Sequence, residues 1–169
     1  LLKLCEERDV KTFKAKTIRY EGFVDKLMFL LELGVIGADP LEYEGLEIIP
    51  LDFFHELIYP IVKFDEKEGD RDLTVLLVKV DGKKGNSKIA VSYEMIDYYD
   101  EEKGVTSMAK TTGYTAALIA RMLARGEFKE KGIHWPVRLI RGKLFGKLMK
   151  DLRERGVQVT ENILQTTDL

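Results

Sequence analysis

The stretch of residues 73–81 constrains the fold more than any other part of the chain. Apolar side chains stand there at both odd and even positions: Val75, Leu76, Leu77, Val78 and Val80. Because successive side chains of a strand point to opposite faces, this pattern predicts a strand that is buried on both faces. We therefore expect this strand either to lie at the centre of a sheet or to belong to a sheet that a partner subunit covers.

The residues that follow predict a β-hairpin. Residues 82–87 read Gly-Lys-Lys-Gly-Asn-Ser, which is typical of a turn. Residues 88–99 then alternate, with apolar side chains aligned on one side of a returning strand: Ile89, Val91, Tyr93 and Met95. The two strands predict a sheet that starts from a hairpin.

Helical spacing of apolar residues marks four further segments: residues 22–33, a segment that begins at Pro50, residues 106–125 and residues 143–155. Pro60 should end or kink the second of these helices. Shorter strands are predicted at residues 11–20, as a pair around Gly45 within residues 41–49, and at residues 157–163, while residues 132–139 indicate a loop or short strand. The chain therefore predicts an α/β domain of the α+β kind, in which a mixed β-sheet carries helices on one face. At 169 residues it fits a single domain spanning 1–169.

The composition excludes several classes of protein. Lys and Arg number 27 against 29 Asp and Glu, and such a balance does not predict binding to nucleic acid, which requires clustered basic residues. The single cysteine, Cys5, excludes an internal disulfide and a multi-cysteine metal site, and it favours a cytoplasmic location. The apolar run over residues 27–33 is too short to cross a membrane.

Nucleotide-binding motifs are absent from the sequence. None of the 14 glycines falls in the G-x-G-x-x-G pattern that lets a backbone approach a pyrophosphate. Residues 142–147 read Gly-Lys-Leu-Phe-Gly-Lys, which is one residue short of a phosphate-binding P-loop. The two histidines, His55 and His134, lack the partner spacing that a metal site requires. We therefore expect no cofactor-binding residue and no metal ligand in this chain.

Two segments carry a positive signal, and the first is Thr-Ile-Arg-Tyr-Glu-Gly-Phe at residues 17–23. At a junction between a strand and a helix, Arg19 could offer its planar guanidinium to a carboxylate in two parallel hydrogen bonds. The alternative is an ordinary surface arginine that pairs with Glu21 or another acid.

The second segment, residues 106–115, contains five Ser and Thr hydroxyls at the start of the longest predicted helix. Free N–H groups and the helix dipole favour an anion there, such as a substrate carboxylate. The alternative is ordinary capping of the helix by Thr106 or Ser107. One hydroxyl is enough for a cap and the segment has five, so a surface that faces a ligand and ordinary capping both stay open.

Both segments resemble the saccharopine dehydrogenase-like family, of the saccharopine reductase and lysine 6-dehydrogenase type. The matching residues of the first segment are Thr17, Arg19, Tyr20, Gly22 and Phe23, and those of the second are Ser107, Met108, Ala109, Thr111, Thr112 and Gly113. The similarity continues through Ala-Arg-Met-Leu at residues 120–123. Two positions depart from the family: Lys110 stands where arginine is usual, and Thr115 where proline is common.

The resemblance implies a two-part enzyme, of which this chain is the substrate-binding and dimerisation part without its Rossmann-type partner domain. NAD or NADP would be bound by that other domain, which is absent from this chain. By the same resemblance the substrate-binding residues are Arg19, Ser107, Thr111, Thr112 and His134, and the catalytic candidates are Tyr20 and Lys110. Tyr20, Lys110 and His134 all stay open as the general base, and for His134 a packing role beside Trp135 is the alternative.

The function that these residues favour is hydride transfer between NAD(P) and the carbon–nitrogen centre of an amino acid of the lysine or saccharopine type. This half would orient the amino-acid substrate within a homodimer, and the cofactor would supply the hydride chemistry. The alternative is a non-catalytic dimerisation or regulatory module of the same fold.

Overall fold

A computed structural model describes residues 5–6 and 9–167 of the chain. These residues form two compact units that divide between Phe64 and Asp65. The prediction of a single domain over residues 1–169 stays a prediction.

The first unit contains two helices and a small hairpin. Helix α1 spans Phe23–Glu32, strands β1 (Leu41–Tyr43) and β2 (Leu46–Ile48) pair antiparallel, and helix α2 spans Pro50–Val62. Glu44 and Gly45 both adopt a positive φ, of 49° and 77°, which a two-residue hairpin turn with the twist of its strands requires. Both helices and the hairpin confirm the sequence predictions.

Pro50 opens α2 at a position where its missing N–H costs nothing, and the helix ends two residues after Pro60. The predicted end of this helix is therefore confirmed. The predicted strand over residues 11–20 is wrong, because these residues are exposed and have no regular structure. A strand needs a ladder of hydrogen bonds to a neighbour, and β1 and β2 bond only to each other among the described strands.

The second unit is built on a three-stranded antiparallel sheet. Strands β3 (Leu73–Lys84), β4 (Ser87–Tyr98) and β5 (Thr160–Thr167) lie in that order, with Val75 opposite Ile96 and Tyr93 opposite Glu161. The predicted hairpin is confirmed. However, β3 lies at the edge and β4 at the centre, so β3 is not a central strand. Every described strand pair is antiparallel, whereas the sequence had indicated a mixed sheet.

Helices follow the hairpin. Helix α3 (Ser107–Ala109) continues through a π-helical segment (Lys110–Tyr114) into α4 (Thr115–Ala124), as the long predicted helix required. Helix α5 (Pro136–Leu139) replaces the predicted loop or strand, and α6 spans Lys143–Arg153.

The helices pack against β4 on one face of the sheet, while Leu76, Val78 and Val80 of β3 on that same face stay exposed. Their buried apolar residues form a core with β4 and the segment that leads to β5: Met95, Leu118, Met122, Leu148, Leu152 and Val157. The strand register places every second residue on the other face, where apolar side chains stay exposed: Leu73, Val75, Leu77, Ile96 and Tyr98. The α+β class with helices on one face is therefore confirmed, and the open face is called below the bare sheet face.

Candidate functional site

Ser107 lies at the centre of a buried polar cluster in the second unit. Its hydroxyl donates a hydrogen bond to Oδ2 of Asp97 at 2.6 Å and lies 2.8 Å from Oγ1 of Thr74. Thr74 belongs to β3 and Asp97 to β4, so the cluster ties the first turn of the helix to both strands of the hairpin. Ser107 is fully buried, and its role as a substrate ligand stays a prediction.

The start of this helix carries an anion that belongs to the protein itself. The carboxylate of Asp72 accepts hydrogen bonds from the backbone N–H groups of Ser107 at 2.7 Å and Met108 at 2.8 Å. The hydroxyl oxygen of Thr106 accepts a third, from the N–H of Ala109 at 3.1 Å. A helix start attracts an anion for the reason that the sequence predicted, and the anion here is Asp72. Capping by Thr106 is confirmed.

Lys110 is the buried cation of the same cluster. Its Nζ lies 3.1 Å from Oδ1 of Asp97, and the two side chains are 7% and 5% exposed. An isolated buried charge is very costly, so each of these two groups needs the other. The two oxygens of Asp97 thus hold two groups of one helix face, the hydroxyl of Ser107 and the ammonium of Lys110.

The π-helical segment begins at Lys110, and its threonines have different surroundings. The Thr111 hydroxyl donates to the carbonyl of Ser107 at 2.9 Å, and the Thr115 hydroxyl donates to the carbonyl of Thr111 at 2.7 Å. Thr115 occupies the position where the family that this chain resembles often has proline. A proline there has no hydroxyl, so the Thr111 carbonyl would lose this donor. Thr112 is exposed and therefore accessible to a ligand. Segments of this kind occur frequently at functional sites.

An open cleft of about 450 Å³ borders the buried cluster. Lys110 and Asp97 form part of its wall, together with an acidic run at residues 100–102 and the segment around Gly156. In that run Lys103 donates to the Asp100 carboxylate at 2.8 Å, and this bond holds the pKa of Asp100 below its usual range. A polar cleft with carboxylates at its rim is suited to a ligand that carries an amine or ammonium group.

One edge of the cleft is braced by a separate group of side chains. Arg71 donates to Glu101 at 2.6 Å and stands 4.4 Å from the ring centre of Tyr99. The Tyr99 hydroxyl donates to Glu66 at 2.8 Å, and this bond raises the pKa of Tyr99. Tyr99 therefore stays protonated at neutral pH and acts here as a hydrogen-bond donor.

His134 lies elsewhere in the second unit. It is exposed, and its Nε2 lies 2.9 Å from the carbonyl of Lys131. It borders an apolar cavity of about 430 Å³ that Ala116, Ala120 and Phe128 also line. This cavity shares no lining residue with the acidic cleft, so the structure does not bring His134 to the wall that Lys110 forms.

Arg19 and Tyr20 belong to the first unit, just before α1. Tyr20 is 81% exposed. The guanidinium of Arg19 donates to the neighbouring carbonyl of Ile18 at 3.0 Å and lies 5.7 Å from the ring centre of Phe23. The role of Arg19 as a substrate ligand stays a prediction.

The structure brings together Ser107, Lys110 and Thr111, and it adds two residues that sequence reasoning missed, Asp72 and Asp97. A signal for Asp97 was present in the sequence. It stands two residues after Met95 on the inward side of β4, where a carboxylate is unexpected. Asp72 precedes its strand in a charged stretch, and only the tertiary structure shows that it caps a helix 35 residues later.

The start of the helix that follows the hairpin offers no site for a pyrophosphate. A pyrophosphate would need free N–H groups at a helix start behind a glycine-rich turn. At the helix that follows the hairpin, Asp72 and Thr106 already accept those hydrogen bonds. No cluster of metal ligands was found within residues 5–6 and 9–167. Over the same described residues, no helix is long and apolar enough to cross a membrane.

The fold and the site define this protein as an α+β domain with a buried ion pair beside a polar cleft. Comparison with known proteins then identifies its family. The chain belongs to the saccharopine dehydrogenase C-terminal domain family, which it matches over residues 2–157. It is also similar to a carboxyaminopropylagmatine dehydrogenase from Synechocystis sp., with 28% identity over 116 residues. That match covers 67% of this chain and 29% of the relative, so the chain corresponds to less than a third of the relative's length. The resemblance to the family is confirmed, and the chain is a C-terminal domain of oxidoreductase type.

Proposed function

We propose that this chain supplies the substrate-binding part of an NAD(P)-dependent oxidoreductase that acts on the C–N centre of an amino acid of the lysine or saccharopine type. The observation that carries the proposal is the family match over residues 2–157. The relative is named a carboxyaminopropylagmatine dehydrogenase, and this name supports a dehydrogenase reaction. The cofactor supplies the hydride chemistry from a domain outside this chain.

Within this proposal, Arg19 holds the substrate carboxylate, with Tyr20 beside it in the sequence. The exposed guanidinium supports that role, because two parallel N–H groups match a carboxylate. Within the second unit by itself, the acidic rim of the cleft suits an amine, and Thr112 is an exposed hydroxyl of the helix. Lys110 and His134 stay candidates for proton transfer.

The test is made on the full-length polypeptide, assayed for NAD(P)-dependent turnover of lysine, saccharopine and a carboxyalkyl polyamine. Arg19→Ala should lower kcat/KM by about tenfold to a hundredfold, because it removes charge-assisted hydrogen bonds worth about 1.5–3 kcal/mol. Arg19→Lys should recover only part of that loss, since an ammonium lacks the planar fork. Arg153→Ala, at an exposed position of α6, is the matched control and should leave kinetics unchanged. Unchanged kinetics for both Arg19 variants would return Arg19 to the role of a surface residue.

Cofactor binding is tested on the chain alone. Because the sequence lacks the glycine-rich pattern that binds a dinucleotide pyrophosphate, fluorescence titration of the 169-residue chain with NADH and NADPH should show no micromolar binding. Saturable binding would contradict the division of labour in the proposal.

The bare sheet face favours the second candidate, a dimerisation module. On this face Val75, Ile96 and Tyr98 are 40%, 60% and 62% exposed. A contiguous group of exposed apolar side chains marks an interaction site, whereas single scattered ones are normal. The register also places Lys79 and Glu94 on this face, so a second copy related by a twofold axis could pair these opposite charges. We therefore propose a second copy of the chain as the cover of the bare sheet face.

Light scattering should then give twice the monomer mass of 19.4 kDa. Val75→Glu should shift the chain to the monomer, because it buries a charge in the interface. Lys84→Glu, at the exposed end of β3, is the control and should leave the dimer intact. A wild-type chain that stays monomeric at moderate concentration would contradict this candidate.

A further inference from the structure

We propose that Asp97 is a positioning residue, which acts through Ser107 and Lys110 to hold the π-helical segment that carries Thr111 and Thr112. The inference rests on the proposed function, because those threonines are its substrate-binding candidates. Asp97 itself belongs to β4 and lies within the covered side of the sheet.

The first step is the geometry of the clamp. Ser107 and Lys110 are three residues apart, so their side chains leave the same face of the helix. Each is held by a different oxygen of Asp97, at 2.6 Å and 3.1 Å. One carboxylate therefore fixes both the rotation and the height of the turn that immediately precedes Thr111.

The second step is the energy of the pair. Lys110 and Asp97 are both at least nine-tenths buried, and removing two charges from water costs much of what their attraction returns. A pair of apolar side chains of similar volume would stabilise a core as well or better. A buried pair is therefore weak evidence for stability, and its best-supported use is to select one packing register among several.

The third step is the reason why the helix needs one fixed packing register. A π-helical segment inserts an extra residue into the helix and turns every side chain before it relative to those after it. The backbone cap by Asp72 fixes where the helix starts, yet it does not determine which side chains face the sheet. Asp97 supplies that second constraint, and it thereby determines where Thr112 stands.

The test compares four forms of the full-length polypeptide: wild type, Asp97→Asn, Lys110→Met and the double variant. Each single variant leaves one buried partner without its charge complement, so both should unfold at a lower temperature. The double variant removes both charges and should recover most of that midpoint. Glu68→Gln, which neutralises an exposed carboxylate of the same unit, is the control for the change in net charge.

Positioning predicts a different result for the substrate. All three cluster variants should raise the KM for the amino-acid substrate by about tenfold to a hundredfold, because small misplacements of binding groups have effects of that size. The KM for the nicotinamide cofactor should stay unchanged. Asp97→Asn keeps Lys110 in the cleft wall, so a raised substrate KM in that variant reports positioning, and the double variant shows whether KM stays raised once stability recovers. A double variant whose substrate KM returns to the wild-type value would overturn the proposal and leave a purely structural pair.

A second measurement does not depend on turnover. Hydrogen exchange of the amides at residues 111–115 should accelerate in the double variant, although its global stability is restored. Wild-type protection of these amides in the double variant would also overturn the proposal. If exchange accelerates but the wild-type enzyme turns over no amino acid, the positioning role stands and the proposed function fails, so the two failures are distinguishable.

Discussion

The two units of the chain differ in what holds them together. The second unit has a core of six buried apolar residues contributed by β4, α4, α6 and the segment that precedes β5. In the described part of the first unit no residue is buried, and neither α1 nor α2 contains a buried side chain. Isolated helices of this length are marginal in water, because most helical stability in proteins comes from packing of an apolar face. Both units therefore contain helices with the expected apolar spacing. Only the second unit stabilises its helices by burying their apolar side chains in its own core.

The start of α3 differs from the other helix starts. Neither α1 and α2 of the first unit nor α5 and α6 of the second have a hydrogen bond from a capping side chain. At the start of α3, backbone N–H groups donate to Thr106 from the same segment and to Asp72 from outside the helix. A long-range cap depends on tertiary structure, so it marks the part of the chain with the stronger tertiary organisation.

The largest expected difference between the units concerns two leucines in helices. Leu152 of α6 is 6% exposed and Leu57 of α2 is 59% exposed. Leu152→Ala should lower the free energy of unfolding by about 2–5 kcal/mol through lost burial and a cavity, whereas Leu57→Ala should change it by less than about 0.5 kcal/mol. Urea denaturation of both variants checks this.

Equal losses would show that the first unit has a core after all. A repeat in the full-length polypeptide sharpens the comparison. A larger loss for Leu57→Ala there than in the 169-residue chain would indicate that another part of the protein covers α2.

The next effect concerns acids at helix starts. Asp72→Asn weakens two hydrogen bonds to backbone N–H groups and should cost about 1–2 kcal/mol. Asp52→Asn, in the first turn of α2, removes only a favourable interaction with the helix dipole and should cost about 0.5 kcal/mol. Thermal denaturation of the two variants at low salt measures the difference. A loss at Asp52 that matched the loss at Asp72 would contradict the distinction between the two helix starts.

The smallest effect is a dependence on pH within the second unit. The Lys103 bond lowers the pKa of Asp100, so its stabilisation is fully present above the ordinary aspartate pKa of about 3.9 and is lost as pH falls through the lowered value. Lys103→Met should therefore lower the thermal midpoint slightly at pH 6. As the pH falls through the lowered pKa, the difference from wild type should shrink, because Asp100 then gains its proton in the wild type as well as in the variant. A difference that grew on acidification would contradict the assignment of this bond.

Much of the fold was predictable because its signals are local. The hairpin follows from the apolar run of β3, a Gly-Asn turn and the alternation in β4. The helix after Thr106 follows from apolar spacing between a cap and Gly126. Residues 11–20 show the limit of such signals, since alternation indicates a strand even where no neighbour exists to bond it. The edge position of β3 was missed for a related reason, because apolar residues on both faces do not tell which neighbour covers them.

The sequence by itself determined the membership of the family, the order of helices and strands in the second unit apart from α5, and the helix start that carries Ser107 and Lys110. These follow from motifs, capping residues and apolar spacing, which all involve residues close together along the chain. Only the tertiary structure decided that Asp72 caps that helix and that Asp97 binds Lys110. Hydrogen bonds and ion pairs act over a few ångströms in space without regard to separation in sequence. A carboxylate can therefore be assigned its partner only when the folded strands bring the two groups together.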